Sequence, residues 1–234
     1  MDGILIVNKP RGMTSHDVVD FVRRRFHLKK VGHAGTLDPL ATGVLVMLVG
    51  KATKLSNTLM GQDKEYEVEM TLGCRTDTGD ADGKVIAEGA DISQVSEDAV
   101  RRALKKFVGS IEQVPPMTSA IKYKGKKLYE LARKGIEVKR AARQITIAAL
   151  ELVSIKPPHV TLRVRCSKGT YVRVLCDEIG LELGCGGYVS SIQRLKSGDF
   201  SLADAVTLER LKGMPRSEVG LLLKNENFYR FKKT

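Results

Sequence analysis

A single carboxylate, Asp38, stands in the stretch GHAGTLDPLATG (residues 32–43), with one imidazole, His33, five positions before it. Small and turn-forming residues surround both, so the sequence suggests a flexible loop of little charge. An acid in that setting can act as a nucleophile or as a base, or it can be an Asp-Pro turn former with no chemistry at all. Glycines 32, 35 and 43 would let a bulky ligand approach the backbone closely. The loop leads straight into the apolar run Val44 to Val49, which reads as a buried strand and a rigid support for a site.

The charge balance points to the kind of ligand. The 234 residues carry 39 basic and 27 acidic side chains, a net charge of +12, which suits a polyanion and makes nucleic acid the expected partner. Much of the excess is local. Nine basic residues (Lys122, Lys124, Lys126, Lys127, Arg133, Lys134, Lys139, Arg140 and Arg143) accompany only Glu130 and Glu137, with Tyr123 and Tyr129 interleaved. That segment is either a solvated loop and helix face or a phosphate-tracking lobe whose rings serve bases or sugars.

Other chemistries are excluded by spacing. The sequence has no Walker loop, GxSxG elbow, HExxH pair or GxGxxG run, so neither a nucleotide cofactor nor a metal is expected. DTGDADG (77–83) has the look of a calcium loop, but the first ligand position would fall on Thr78 and the twelfth on Gly89. Cys74, Cys166, Cys176 and Cys185 fit no zinc pattern and read as core or helix residues. No apolar run approaches a membrane span and the N-terminus lacks a signal peptide's pattern, so a soluble, cytoplasmic protein is expected.

The elements that must position these groups alternate in type, the mark of an α+β chain. Ile4 to Val7 reads as a strand, and Ser15 as the N-cap of a helix with Val18, Val22 and Phe26 on one stripe. In KEYEVEMTLG, Tyr66, Val68, Met70 and Leu72 alternate with Glu65, Glu67, Glu69 and Thr71, which predicts a half-exposed strand. Ser96 caps a predicted helix with Val100, Leu104 and Phe107 or Val108 as its core stripe. Strands follow at 145–153 and 160–166, then a helix from a Thr170 cap to about Leu183, a strand at 188–195 and a helix from about Ser201.

Five blocks in order resemble one family. GHAGTLDPLATG is similar to the signature of the pseudouridine synthases, specifically the bacterial tRNA pseudouridine(55) synthase family, TruB. ILIVNKPRGMTSHD resembles that family's lysine-proline motif, KEYEVEMTLGCRTDTGDADG its tyrosine strand and acidic loop, PPMTSAIKYKGKKLYELAR its basic insertion, and CSKGTYVRVLCDEIG its arginine helix. The resemblance implies a pseudouridine synthase fold, a central mixed β-sheet with flanking helices and a basic thumb insertion at about 114–143. It implies a catalytic domain at 1–205, a short helical tail at 206–234 and no PUA domain, although the family usually has one.

The resemblance also implies an RNA isomerase that converts the T-loop uridine at position 55 of tRNA to pseudouridine, without cofactor or metal, as a monomer. Asp38 matches the essential aspartate, which attacks either the ribose C1′ or the uracil C6. Arg173 matches the arginine that pairs with it; the alternative on residues alone is a helix-surface ion pair with Asp177, four residues on. Tyr66 matches the tyrosine that stacks on the target base, and His33 the histidine that holds the T-loop open. Lys9 and Leu195 match site-supporting positions, and Lys122, Lys124, Lys126, Lys127 and Arg143 fall in the RNA-binding thumb. The alternatives are a related synthase acting on another RNA, and a catalytically silent RNA-binding or tRNA-folding protein.

Overall fold

The apolar run Val44 to Val49 has no polar face for water to cover, and the structure buries it on both sides. The computed structural model describes residues 1–88, 91–93 and 95–225. Its elements begin with β1 (Gly3–Lys9), α1 (Ser15–Arg25), β2 (Val31–His33), β3 (Thr42–Val49), α2 (Ser56–Met60), β4 (Lys64–Leu72), β5 (Cys74–Thr76), β6 (Val85–Glu88), α3 (Glu97–Lys105) and β7 (Gly109–Gln113). They continue with β8 (Lys122–Tyr123), β9 (Lys126–Lys127), α4 (Leu128–Ala132), β10 (Arg143–Lys156), β11 (His159–Cys166), α5 (Val172–Glu182), β12 (Gly187–Ser197), β13 (Phe200–Ser201), β14 (Val206–Thr207) and α6 (Leu208–Gly213). The chain packs as two units, one from Met1 to Tyr66 with the chain from Ile192 onward, the other from Glu67 to Ser191.

In the first unit the strand order is β14, β1, β3, β12. β1 and β3 are antiparallel, from Gly3 opposite Val49 to Lys9 opposite Gly43, whereas β3 and β12 run parallel with Gly43 opposite Arg194. The two-residue period of a strand divides the apolar runs between two cores. Leu5, Val7, Leu45 and Met47 pack with Val18, Val22 and Phe26 of the α1 segment. Ile4, Ile6, Val44, Val46 and Leu48 pack with Leu55, Leu59 and Phe200.

The cap of α1 differs from the expectation. Thr14, not Ser15, is the N-cap, in a capping box with Asp17. Ser15 is unavailable because its hydroxyl is engaged with the backbone of Leu37, 22 residues away in sequence but adjacent in the fold. From Ser201, which ends the short strand β13, only one 3-10 turn follows, Leu202–Asp204, with Ser201 as its N-cap in a capping box with Asp204; the α-helix α6 begins later, at Leu208, with Thr207 as its cap. Of the expected tail, residues 226–234 lie outside the described residues.

The second unit arranges β12, β4, β11, β10 and β7 in that order. β11 shows the anticipated alternation, with Val160, Leu162, Val164 and Cys166 buried and Arg163 and Arg165 exposed. Ser96 caps α3 through the Ala99 N–H, but the helix ends at Lys105, so Val108 lies beyond its stripe and is exposed. Thr170 does not cap α5: its hydroxyl donates to the Ser167 carbonyl, and Tyr171 holds the N-cap position, its N–H donating to Gln113 Oε1 at 2.7 Å. The basic segment forms the β8–β9 hairpin, turned by Lys124 and Gly125 at positive φ, and then α4, anchored by buried Leu128 and Leu131. No disulfide joins the four cysteines; Cys166, Cys176 and Cys185 are buried, and burial pushes the Cys176 thiol up to about 12.

Gly43 is where the first unit tolerates least. Its φ is +97°, and a Cβ there would collide with the backbone of Arg194 on the neighbouring strand. Gly43→Ala is therefore expected to lower the unfolding free energy by about 2 kcal/mol or more, combining left-handed strain with strand displacement. Urea denaturation checks this, and a midpoint equal to that of the parent protein would contradict it.

Candidate active site

Asp38 sits in a loop that the sequence suggested to be flexible, and the structure shows it clamped from three sides. Buried Ser15 accepts the Leu37 N–H at 2.8 Å and donates to the Leu37 carbonyl at 3.1 Å. Lys9, fully buried at the end of β1, donates to the carbonyls of Pro10 at 2.9 Å, Met13 at 2.6 Å and Pro39 at 3.4 Å. Arg194, 1% exposed, donates from Nε to Val44 O at 2.7 Å, and from its two Nη atoms to Thr36 O at 3.4 Å and Gly35 O at 3.1 Å. Within the loop, the Ala41 N–H donates to the Asp38 carbonyl at 3.0 Å, and the Gly12 N–H meets Pro39 O at 2.8 Å. Leu37, Leu40 and Ala41 are buried beside the half-buried acid.

This changes the role of the glycines. Gly43 makes room for Arg194's backbone rather than for a ligand, and Gly35, at φ +109°, carries a carbonyl that the Arg194 guanidinium grips. Gly32 has an ordinary contact with Thr53 and no left-handed φ.

The loop's cations and its imidazole share one low-dielectric neighbourhood. Burial pushes the Lys9 amine down to about 8; the Asp38 charge opposes that shift and Arg194 adds to it. Burial, then the charges of Arg194 and His16, hold the His33 ring below its ordinary value. His33 is thus a neutral ring near pH 7, suited to stacking. Tyr66 is half-buried at the start of β4 and packs against the core cluster that contains Leu37 and Ala41. Leu195 is half-buried beside Arg194 on β12.

Arg173 belongs to the second unit, on the first turn of α5, and is buried. Its Nη1 donates to Thr78 O at 2.6 Å and Thr118 Oγ1 at 2.9 Å, its Nη2 to Thr118 O at 3.1 Å, and Asp80 Oδ2 lies 3.3 Å away as an ion pair. Asp80 is itself held by the Thr78 hydroxyl at 2.6 Å and the Asp82 N–H at 3.2 Å. The helix-surface pairing of Arg173 with Asp177 does not form. Asp177 instead accepts a two-pronged bond from Arg75, at 2.6 and 2.8 Å. The acidic turn that resembled a calcium loop is the seat of this arginine.

In the basic lobe, Lys122, Lys124, Lys126 and Arg143 are exposed, while Lys127 is half-buried with its amine 3.4 Å from the Tyr129 hydroxyl. The guanidinium of Arg133 lies 5.3 Å from the centre of the Tyr129 ring, and the Lys124 amine 5.7 Å from that of Tyr123. Sequence reasoning missed Ser15 as a loop anchor, and missed Arg194, Asp80, Thr118 and Arg75 altogether. Only Arg194 carried a hint, a charged residue in an otherwise half-buried strand pattern. Among the described residues no group of three or more His, Cys, Asp or Glu side chains could hold a metal ion, and no helix is long and apolar enough to cross a membrane.

Comparison with known proteins bears on the whole chain. A model of the TruB family pseudouridylate synthase N-terminal domain matches residues 23–172, and one of the tRNA pseudouridylate synthase B C-terminal domain matches residues 173–219. The tRNA pseudouridine synthase B of Syntrophotalea carbinolica is 50% identical over 224 residues, covering 95% of this chain and 73% of the relative. That of Alkaliphilus oremlandii is 51% identical over 222 residues, covering 95% and 74%. Among solved structures, a chain of a Cbf5-Nop10-Gar1 complex superposes with a TM-score of 0.73 at 31% identity, over 97% of this chain and 58% of that one. This chain therefore spans little more than half of that solved chain's length.

The depressed His33 has a measurable consequence for stability. Unfolded, the ring takes a proton near about pH 6.5, while in the folded chain it resists protonation. As pH falls through that value the unfolded state binds a proton that the native state does not, so stability falls. The drop in urea midpoint between about pH 7.5 and about pH 5.5 should be smaller in His33→Gln than in the parent; equal drops would show that the ring is not held neutral.

Proposed function

The chain belongs to the TruB family of pseudouridylate synthases, and from that premise we propose that it isomerises uridine to pseudouridine in tRNA, with the T-loop uridine at position 55 as its target. Relatives of about half-identical sequence over 95% of the chain support the enzymatic reading. The observation that carries it at the level of residues is the clamped loop. An acid that only capped a turn would not need three buried polar side chains to fix the backbone around it, whereas a nucleophile must be held within a fraction of an angstrom of its line of attack.

The reaction needs little else. The C1′–N1 bond of the uridine breaks, the freed base turns, a C1′–C5 bond forms, and the C5 proton is lost while N1 gains one. No water is consumed overall, and no redox partner is required. The carboxylate of Asp38 attacks either C1′ or C6, a covalent step that splits the exchange of one glycosidic link for another into two easier parts. Its target must first leave the stack, because neither carbon is accessible within a folded loop. Neutral, partly buried His33 suits a ring that fills the vacated place, and Tyr66, lying against the core under the Asp38 loop, suits stacking on the extruded base. Arg173 is given its catalytic role by the likeness of CSKGTYVRVLCDEIG to the family's arginine helix.

Residues 1–205 form the catalytic domain in this reading, with the insertion at about 114–143 as a thumb on the T-arm. The exposed amines of Lys122, Lys124 and Lys126 and the guanidinium of Arg143 track phosphates, while Tyr123 and Tyr129 with their stacked cations offer flat surfaces to sugars and bases. The protein works as a cytoplasmic monomer.

Release of tritium from C5-labelled uridine in tRNA is the direct test. Asp38→Asn, nearly isosteric but not nucleophilic, should abolish release while tRNA affinity stays within severalfold of the parent. Turnover above a few per cent of the parent would remove Asp38 from the role. For the thumb, combined neutralisation of Lys124, Lys126 and Lys127 should raise KM more than it lowers kcat, and should flatten the salt dependence of binding by roughly one unit of slope for each phosphate no longer neutralised. An isolated T-arm hairpin should be converted nearly as well as full tRNA; an unchanged salt slope or a poorly converted hairpin would place the RNA elsewhere on the protein.

A further inference from the structure

We propose that Arg194 is a positioning residue for the reaction, a buried guanidinium that ties together the two ends of the Asp38 loop and so fixes where the carboxylate stands. The inference rests on Asp38 being the nucleophile, and its test below separates the two claims.

Three observations carry it. First, the geometry is that of a clamp. Nη2 and Nη1 reach Gly35 O and Thr36 O on the strand-to-loop entry, and Nε reaches Val44 O on the exit, so one planar group spans the chain before and after Asp38. A guanidinium has donors in a fixed fork, so it can hold three carbonyls at set angles; an ammonium of similar reach is a point charge and cannot. Second, the residue is 1% exposed, and its side chain donates to backbone carbonyls rather than to a carboxylate. A buried cation satisfied by carbonyl dipoles is a costly way to fill a core, and an aliphatic side chain would serve packing better. Gly35 and Thr36, whose carbonyls it satisfies, lie in an irregular segment with no sheet partner of its own, which identifies the loop as the reason for the charge.

Third, the backbone of Arg194 is locked as well. It pairs with Gly43 in parallel register, and Gly43 has no Cβ to hold the strands apart. The clamp is thus anchored on a sheet strand while its head reaches into the loop, the arrangement a precise site requires. Its charge also falls on the surrounding groups: it lowers the proton affinity of both Lys9 and His33. Geometry and charge can therefore be separated experimentally, since Arg194→Lys keeps the charge and loses the fork, whereas Arg194→Met loses both.

For Arg194→Lys, folded as judged by thermal unfolding, kcat for pseudouridine formation should fall by about 100-fold, the scale of a small misplacement of reacting atoms, with KM for tRNA within about threefold of the parent. Amide hydrogen exchange at Leu37 and Ala41, whose N–H groups bond to Ser15 Oγ and Asp38 O, should quicken, while exchange in the β1–β3 pair stays unchanged. The His33 ring, followed by NMR titration, should keep its parental midpoint in Arg194→Lys and rise in Arg194→Met. Asp38→Asn is measured beside them. If Asp38→Asn is dead while Arg194→Lys turns over at the parental rate, the positioning role falls and the nucleophile stands; if Asp38→Asn turns over, both fall. Global quickening of exchange, with kcat restored when the variant is kept cold and folded, would reduce Arg194 to an ordinary core residue. Should Arg194→Lys not fold, exchange in the parent decides: Leu37 and Ala41 amides as labile as those of exposed turns would overturn the clamp.

Discussion

An irregular stretch of backbone cannot be buried unless each of its N–H and C=O groups finds a partner, and the neighbourhood of Asp38 is organised around that constraint. β3 begins immediately after the loop and is buried on both faces, so the loop is drawn into the protein with it. Leu37, Leu40 and Ala41 go inside, and their peptide groups go with them. Ser15, Lys9 and Arg194 supply the hydrogen bonds that a sheet partner would otherwise provide. A loop satisfied in this way has few alternative conformations of similar energy, and the side chain it carries is correspondingly well placed.

Two of these three groups are cations, and that choice has electrical consequences. Burying an ammonium and a guanidinium within reach of one acid makes a region in which negative charge is favoured and further positive charge is not. Lys9 loses proton affinity and His33 stays neutral, while Asp38 adds the compensating charge. The same burial and the Arg194 charge that weaken the Lys9 amine's hold on its proton also favour the uncharged form of the neighbouring imidazole. The excess of positive charge in the basic lobe is of a different kind: Lys122, Lys124 and Lys126 are exposed, and cations so placed favour a polyanion through counterion release rather than through fixed geometry.

The second unit solves a similar problem with opposite means. Arg173 is buried like Arg194, but its partners include a carboxylate, Asp80, on a tight turn whose Gly79 abuts the arginine backbone. The Arg75 bond to Asp177 ties α5 to β5 one turn further on. Together they fix the register of the helix that carries Arg173. The exposed ion pairs of the unit, such as Arg101 with Glu97, contribute far less, since water screens them and their side chains must be ordered to meet.

Much of this was legible in the sequence, wherever the information was local or periodic. The alternation in KEYEVEMTLG and in Val160 to Cys166 named the buried faces of β4 and β11, because a strand's period of two needs no knowledge of its neighbours. Ser96 was readable as a cap because its partner, Ala99, lies three residues on. Asp38 stood out by its uncharged, glycine-rich loop, but a role for it, as for Tyr66, Arg173 and His33, came only through ordered blocks that resemble a family, since each taken singly is an ordinary turn acid, core tyrosine, helix cation or lone histidine. What the tertiary structure decided was every contact between residues remote in sequence. Ser15 looked like a cap until Leu37 claimed its hydroxyl, with Thr14 left to cap the helix. Asp177 looked like the partner of Arg173 at helical spacing, yet Arg75 and Asp80 divided the two between them. Arg194 drew no notice in the sequence, and only the folded chain brings its guanidinium to the carbonyls on either side of Asp38. For Ser15, and for Arg173 with Asp177, the local option was a solvent-exposed contact worth little, and burial beside an unsatisfied distant backbone or opposite charge offered a stronger one that exists only once the chain has folded.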